Sequence, residues 1–340
     1  MQHMSPVILA IESSCDETSA SVISNAKVLN NIIASQAVHG KYGGVVPELA
    51  SRAHQQRIVE VVKEALDTAH VAVSDLHAVA FTRGPGLLGS LMVGVSFAKG
   101  LAIARNIPLI EVNHMHAHVL AHFIEDPRPS FPFLCLTVSG GHTQLVIVRD
   151  YLEMEVIGQT QDDAVGEAFD KGAKILGLPY PGGPMIDSLA KQGDRTAFTF
   201  SQTNMPGLDF SFSGIKTSFL YFVRDRMKEN PAFIEERKAD LCASLQQHLV
   251  GMLMGRLIEA VKQTGITEVA LAGGVSANSF LRSAVAEEGN KRNWNVFIPA
   301  MEYCTDNAAM IAMAAHFKYM KNEFCDLTVT PLARMPLSNG

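Results

Sequence analysis

Two histidines four residues apart, His114 and His118, carry the most specific chemistry that residue type and spacing offer in this chain. On a helix, imidazoles at i and i+4 share a face and can grip one metal ion. The flanks predict that helix. Ile107–Val112 reads as a short buried strand, Asn113 suits the N-cap, and Val119-Leu-Ala-His-Phe123 continues the apolar spacing. A helix start also disfavours an imidazolium and so favours the neutral, ligating form. His116, two positions along, points to another side. A satisfied, partly buried histidine cluster has the same sequence, so the metal reading needs a third ligand from elsewhere.

Asp306 fits that role best, as a carboxylate at the expected N-cap of a final helix over 306–315. Two histidines and one carboxylate with open positions suit a divalent transition metal such as iron or zinc. As a plain cap, Asp306 needs no function. Asp170 and Asp187 bracket the rigid turn Tyr180-Pro-Gly-Gly-Pro184 and suit ribose hydroxyls or, equally, a helix-end charge. Asn278 follows a glycine turn, where its amide serves a base edge or a helix cap. No His-Glu-x-x-His, phosphate-loop or Gly-x-Ser-x-Gly motif is present. Nucleotide-suited residues and a metal pair without an evident nucleophile point to group transfer onto an external acceptor.

The elements that must position these residues form a repeat. Val7–Ile11 runs through Glu-Ser-Ser-Cys-Asp-Glu-Thr18 into a second strand over 19–24, and Phe133–Val138 runs through Ser-Gly-Gly-His-Thr143 into Gln144–Val148. Small polar residues in such turns leave backbone N–H groups to face an anion. Leu76–Thr82 leads through Arg-Gly-Pro-Gly86 to a helix over 88–104, and Thr267–Ala272 leads through Gly-Gly-Val-Ser-Ala-Asn278 to a helix from Ser279. Two matched pairs in the same order predict two related α/β lobes around a cleft. The boundaries expected are 1–113 for the first lobe, with 318–340 packing back on it, and 114–317 for the second. Further helices are expected over 47–69, 166–176 and 234–264.

A chain that is 47% hydrophobic and 18% charged has ample core for a soluble protein of two domains. A net charge of −6 advertises no uniform nucleic-acid surface, so any such contact falls to a local cluster. Arg52, His54 and Arg57, read as an exposed helix face, are the obvious one, with Lys99 and Arg105 in the same lobe; a solvated face is the plainer reading. Five cysteines without a Cys-x-x-Cys pair predict reduced thiols and a cytoplasmic protein. No apolar run of 18 residues is seen, so no membrane association is expected.

The motifs also resemble a known family. Ile11-Glu-Ser-Ser-Cys-Asp-Glu-Thr18, His39–Glu48 with Ala50–His54, Gly84-Pro-Gly-Leu87, His114-x-x-x-His118 and Val138-Ser-Gly-Gly-His-Thr143 all look like the TsaD family. So do Asp163–Lys171, Tyr180–Pro184, Phe210–Thr217, Gly273–Asn278 and Thr305-Asp-Asn307, in family order. This is the family of bacterial tRNA threonylcarbamoyladenosine transferases formerly described as sialoglycoprotein endopeptidases. The resemblance implies the actin-like, sugar-kinase-like (ASKHA, ribonuclease H-like) α/β fold. It implies transfer of a threonylcarbamoyl group from threonylcarbamoyl-adenylate to N6 of the adenosine next to the anticodon of tRNA, with AMP released. It makes His114, His118 and Asp306 ligands of one Fe2+, with Zn2+ as the alternative ion. Thr137, Val138, Ser139, Gly140 and Gly141 match the substrate loop, and Asp170, Gly183, Asp187 and Asn278 match adenylate contacts. Asp16 and Glu17 match acidic residues on the acceptor side, and Thr137 stands where archaeal relatives carry a ligating tyrosine. A TsaB-like paralogue and a TsaE-like ATPase are the implied partners, besides tRNA and the adenylate. A metallopeptidase would use the same histidines but leaves the glycine turns unexplained, and a small-molecule kinase of the same fold leaves the histidine pair unexplained.

Overall fold

The computed structural model describes residues 6–34, 43–201 and 205–337, so His39-Gly-Lys-Tyr42 of the motif above lies outside the described residues. The chain divides into two compact units, one of 1–128, 150–154 and 299–340, the other of 129–149 and 155–298.

In the first unit, β1 (Val7–Glu12) pairs antiparallel with β2 (Thr18–Ser24) and parallel with β5 (Ala78–Gly84), which pairs parallel with β6 (Leu109–Asn113). Two short strands, β3 (Lys27–Val28) and β4 (Ile32–Ala34), both pair with β2. The strands are continuous apolar runs because both faces are covered. Helices α1 (Pro47–Ala69) and α2 (Leu88–Arg105) supply Ile58, Val61, Val62, Leu66, Val95 and Ala98 to a core with Leu9, Ile11, Val79 and Phe81. The last helix, α9 (Ala308–Met320), packs its alanines against β1, β2 and β6 and against α3 (His114–Leu120). That packing puts both the histidine helix and residues 299–317 in the first unit, unlike the division at 113/114 expected from the sequence.

Helix α2 is long and apolar enough to cross a membrane by length and composition, which corrects the expectation that no such span exists. Its glycines, serines and alanines break any continuous apolar run without making it polar. Here Leu91, Val95, Ala98 and Ala102 lie in the core.

The second unit repeats the plan. β7 (Phe133–Val138) pairs antiparallel with β8 (Thr143–Asp150) and parallel with β10 (Glu268–Ala272), which pairs parallel with β11 (Asn295–Phe297), while β9 (Glu153–Gln159) completes the sheet beside β8. Helices α4 (Val165–Ile175), α5 (Gly182–Ala190), α6 (Ser213–Glu229), α7 (Phe233–Thr264) and α8 (Ser279–Arg292) enclose a core of Phe169, Phe212, Phe219, Leu245, Leu249 and Leu271. The hairpin-plus-parallel-strands order, β2-β1-β5-β6 and β8-β7-β10-β11, is the duplication read from the sequence.

Candidate functional site

Asn113 ends β6 and caps α3, its Oδ1 accepting from the Met115 amide at 2.9 Å and the His116 amide at 3.3 Å. The cap was legible, and it starts the helix so that His114 and His118 share a face. Both are buried, and their Nε2 atoms lie 3.2 Å apart. Asp306 Oδ1 stands 3.2 Å from His118 Nε2 and 3.4 Å from His114 Nε2. It does not cap α9: Asn307 does, accepting from the Met310 amide at 3.0 Å. Because the neighbouring amide group takes the helix end, the Asp306 carboxylate is left to face the imidazoles.

Donors about 2.1 Å from one ion lie roughly 3.0–3.4 Å apart at bond angles of about 90–109°. The three spacings fall in that range, and two nitrogens with one anionic oxygen suit a transition metal. The residues therefore fit a divalent cation, and the chain has a possible metal site at His114, His118 and Asp306.

Behind the triad stand residues that no sequence motif marks for a role in the site. The Glu12 carboxylate, fully buried at the end of β1, accepts from His114 Nδ1 at 3.1 Å, from Thr82 Oγ1 at 2.6 Å and from the Ser14 amide at 2.5 Å. Ser14 Oγ is 3.2 Å from the same imidazole nitrogen. A proton held on Nδ1 by a carboxylate leaves the Nε2 lone pair for a cation and fixes the ring. The available signal was a glutamate closing a fully apolar strand, since a buried carboxylate needs partners.

Electrostatics follow from this crowding. Burial pulls the His114 imidazole down, but Asp306 and Glu12 outweigh it and raise it well above its ordinary value. Burial pushes the Asp306 carboxyl up, and the two imidazoles overcome this and hold it well below the carboxylate range. His118 is lowered, chiefly by burial. Asp16 and Glu17 lie on the loop between β1 and β2, and burial, Asp306 and Asp16 push the Glu17 carboxyl up to about 9.

His54 is not on an exposed face. It is fully buried, with Nδ1 2.7 Å from Thr18 Oγ1 and Nε2 3.0 Å from the Cys15 carbonyl, which can only accept. The imidazole thus joins α1 to the loop carrying Asp16 and Glu17. Arg52 is exposed and pairs with Glu48 at 2.6 Å, while Arg57 is exposed, so only the arginines match the reading of a solvated or nucleic-acid-facing cluster. Replacing His54 with alanine strands the Cys15 carbonyl and the Thr18 hydroxyl. The expected loss is about 1–3 kcal/mol of unfolding free energy in urea titration. His54→Gln, which keeps a donor near Nε2, should lose less.

In the second unit the substrate-loop candidates Thr137, Val138, Ser139, Gly140 and Gly141 close β7 and open the turn to β8. Ser139 organises the turn: its amide donates to the His142 carbonyl at 2.8 Å, its Oγ accepts from the His142 amide at 3.0 Å, and its carbonyl accepts from the Gly166 amide at 3.2 Å. Among the described hydrogen bonds none uses the Gly140 or Gly141 amide, and both glycines are exposed. The Gly273 turn after β10 lies against the Val138 carbonyl, so the two glycine turns of this unit meet.

Asp170 Oδ1 accepts from the Gly182 and Gly183 amides at 2.8 and 3.3 Å, which caps α5; burial raises its carboxyl despite those bonds. Asp187, on α5, accepts from the Ser279 amide and hydroxyl at 3.2 and 2.8 Å. Asn278 is the N-cap of α8, accepting from the Leu281 amide at 2.9 Å, and its Nδ2 donates to Gln246 at 2.8 Å. The four candidates Asp170, Gly183, Asp187 and Asn278 are therefore linked through α5 and the α8 start. Asp170 already serves the α5 start, and Asp187 and Asn278 the α8 start, as the plainer sequence reading allowed.

The family model for tRNA N6-adenosine threonylcarbamoyltransferase (TsaD) matches residues 27–313. The chain belongs to this family. The threonylcarbamoyltransferase of Cytophaga hutchinsonii is 60% identical over 339 residues, covering 100% of this chain and 99% of the relative. That of Christiangramia forsetii is 60% identical over 330 residues, covering 96% and 97%. A solved structure of full-length HypF in a phosphate- and nucleotide-bound form matches with a TM-score of 0.63 at 15% identity. It covers 93% of this chain and 46% of that one, and the likeness is one of fold. The chain thus has the actin-like, sugar-kinase-like fold, and its five cysteines are free thiols, as read from the sequence.

Proposed function

We propose that this chain transfers the threonylcarbamoyl group from threonylcarbamoyl-adenylate to N6 of the adenosine adjacent to the anticodon, in tRNAs reading codons that begin with A. The observation that carries the proposal is 60% identity along essentially the whole chain to relatives named for that transfer. The amine nitrogen attacks the carbamoyl carbonyl carbon, the bond from that carbon to the phosphate oxygen breaks, AMP leaves with the electron pair, and the amine gives up a proton.

His114, His118 and Asp306 would hold one divalent cation, ferrous iron on this reading with zinc as the alternative, which when bound would supply Lewis-acid polarisation. Glu12 and Ser14 keep the His114 proton on Nδ1. The Gly140 and Gly141 amides donate to oxygens on which charge grows, an electrostatic contribution of the oxyanion-hole kind. Asp170 engages only Oδ1 among its described bonds, which leaves Oδ2 for a ribose hydroxyl, and Gly183 lets the substrate approach the backbone. Asp187 holds the corner where Asn278 presents its amide. Asp16 and Glu17 are the acidic groups assigned to the acceptor side. The cellular setting is the cytoplasm, and a TsaB-like paralogue and a TsaE-like ATPase assist turnover.

The test supplies threonylcarbamoyl-adenylate and an unmodified tRNA transcript to the purified chain, with and without the two partners, and reads nucleosides by mass spectrometry. Threonylcarbamoyladenosine should form in step with AMP, repeatedly only when the partners are present. AMP release without modified tRNA, or no transfer with all partners supplied, would overturn the reading.

A further inference from the structure

The C-terminal segment 328–337 is bonded to the elements that carry the histidine pair. At the end of β5, the Leu332 amide donates to the Arg83 carbonyl at 2.8 Å, the Gly86 amide donates to the Ala333 carbonyl at 3.2 Å, and Arg83 Nε donates to the Thr330 carbonyl at 3.0 Å. The segment lies so close that a Cβ on Gly84 would meet the Leu332 carbonyl oxygen. Further on, Asn113 Nδ2 donates to the Pro336 carbonyl at 2.8 Å and His116 Nε2 donates to the Leu337 carbonyl at 2.5 Å. The Val329 and Leu337 side chains are buried and anchor the two ends.

Helix α3 has seven residues, too few to hold a direction by itself. Its cap, Asn113, uses both atoms of its amide: Oδ1 on the first turn and Nδ2 on the C-terminal segment. His116 faces away from Asp306 and spends its Nε2 hydrogen on the same segment.

We propose that segment 330–337 is a clamp on the histidine helix, and that Asn113 and His116 are positioning residues which hold His114 and His118 in ligating register through it. The proposal rests on the reading of His114, His118 and Asp306 as a metal centre. Ligands must stay within about 0.5 Å of productive geometry, and loss of an outer partner of a metal ligand typically costs about 10–100-fold in metal affinity.

Two substitutions in the full chain separate the clamp from the cap. Asn113→Asp keeps an acceptor for the helix amides but removes the donor to Pro336. His116→Phe keeps ring volume but removes the donor to Leu337, and His116→Gln restores one. Affinity for ferrous and zinc ions alone is measured by competition with a chelator, and amide exchange of 114–120 is followed in the metal-free protein. Asn113→Asp and His116→Phe should each weaken binding about 10–100-fold and speed exchange in α3, with His116→Gln moving both back toward wild type. Wild-type affinity and exchange in both variants would overturn the clamp. So would a lower melting temperature with exchange no faster in α3 than in the rest of its unit, because the bonds would then be ordinary fold contacts. If the unsubstituted chain binds neither ion one to one, the metal-centre reading fails, and the exchange measurement alone decides whether the clamp exists.

Discussion

Replacing His118 with alanine should abolish tRNA modification and leave the fold intact. His118 Nε2 is within 3.2 Å of both His114 Nε2 and Asp306 Oδ1, so its loss removes one of three donors and breaks the geometry of the other two. Metal affinity should fall by more than the roughly 10–100-fold expected from an outer partner. Glu12→Gln provides that comparison: it leaves all three donors but weakens the hold on His114 Nδ1. The expected order of metal affinity is wild type, then Glu12→Gln, then His118→Ala, read by dialysis against a chelator, with modified nucleoside following the same order. Stripping the metal from the wild-type chain should stop transfer reversibly, and refilling with iron or zinc in parallel identifies the working ion. Undiminished transfer by metal-stripped His118→Ala would remove the cation from the reaction and leave the histidines a structural cluster.

How much of this site was legible follows from which residues have only one structural use. Asn113 before an apolar helical run can hardly be anything but a cap, and that cap phases His114 and His118. Asp306 and Asn307 are both good caps, so sequence cannot say which takes the helix end. The structure gives the cap to Asn307, which strengthens the case for Asp306 by freeing its carboxylate. Two exposed arginines flank His54 and give its stretch of α1 the look of a solvated face. Yet His54 falls in line with Ala50, Ile58, Val61 and Ala65, the buried stripe of α1, where helical spacing should have placed it. The duplicated hairpins were legible because parallel strands covered on both faces read as apolar runs. The return of 318–340 to the first lobe was legible, but its partners were not: nothing local in 299–337 states that α9 covers β1 and β2, or that Pro336 and Leu337 meet the start of α3.

Gly273→Ala should be among the most damaging single substitutions in the second unit. Gly273 has φ +85°, a conformation that side-chain-bearing residues rarely adopt, at a cost of about 1–3 kcal/mol. The alanine methyl would also run into the backbone of Val138, whose carbonyl oxygen and carbon lie in its path, and overpacking of this kind costs roughly 1–3 kcal/mol more. Backbone cannot rotate away as a flexible side chain can, so β7 or the turn must move. The turn at risk contains Ser139, Gly140 and Gly141, whereas the histidine triad belongs to the other unit. Gly177→Ala is the control, since Gly177 has φ +71° with nothing within 4 Å of an added Cβ, so it bears the conformational cost alone. Urea denaturation should place Gly273→Ala below Gly177→Ala, and wild type above both. Metal affinity should stay near wild type in both variants wherever the fold persists, while transfer falls in Gly273→Ala as the adenylate binds more weakly. Equal stability of the two alanine variants would mean that the Val138 backbone yields without cost and that the contact between the glycine turns is not what shapes the substrate loop.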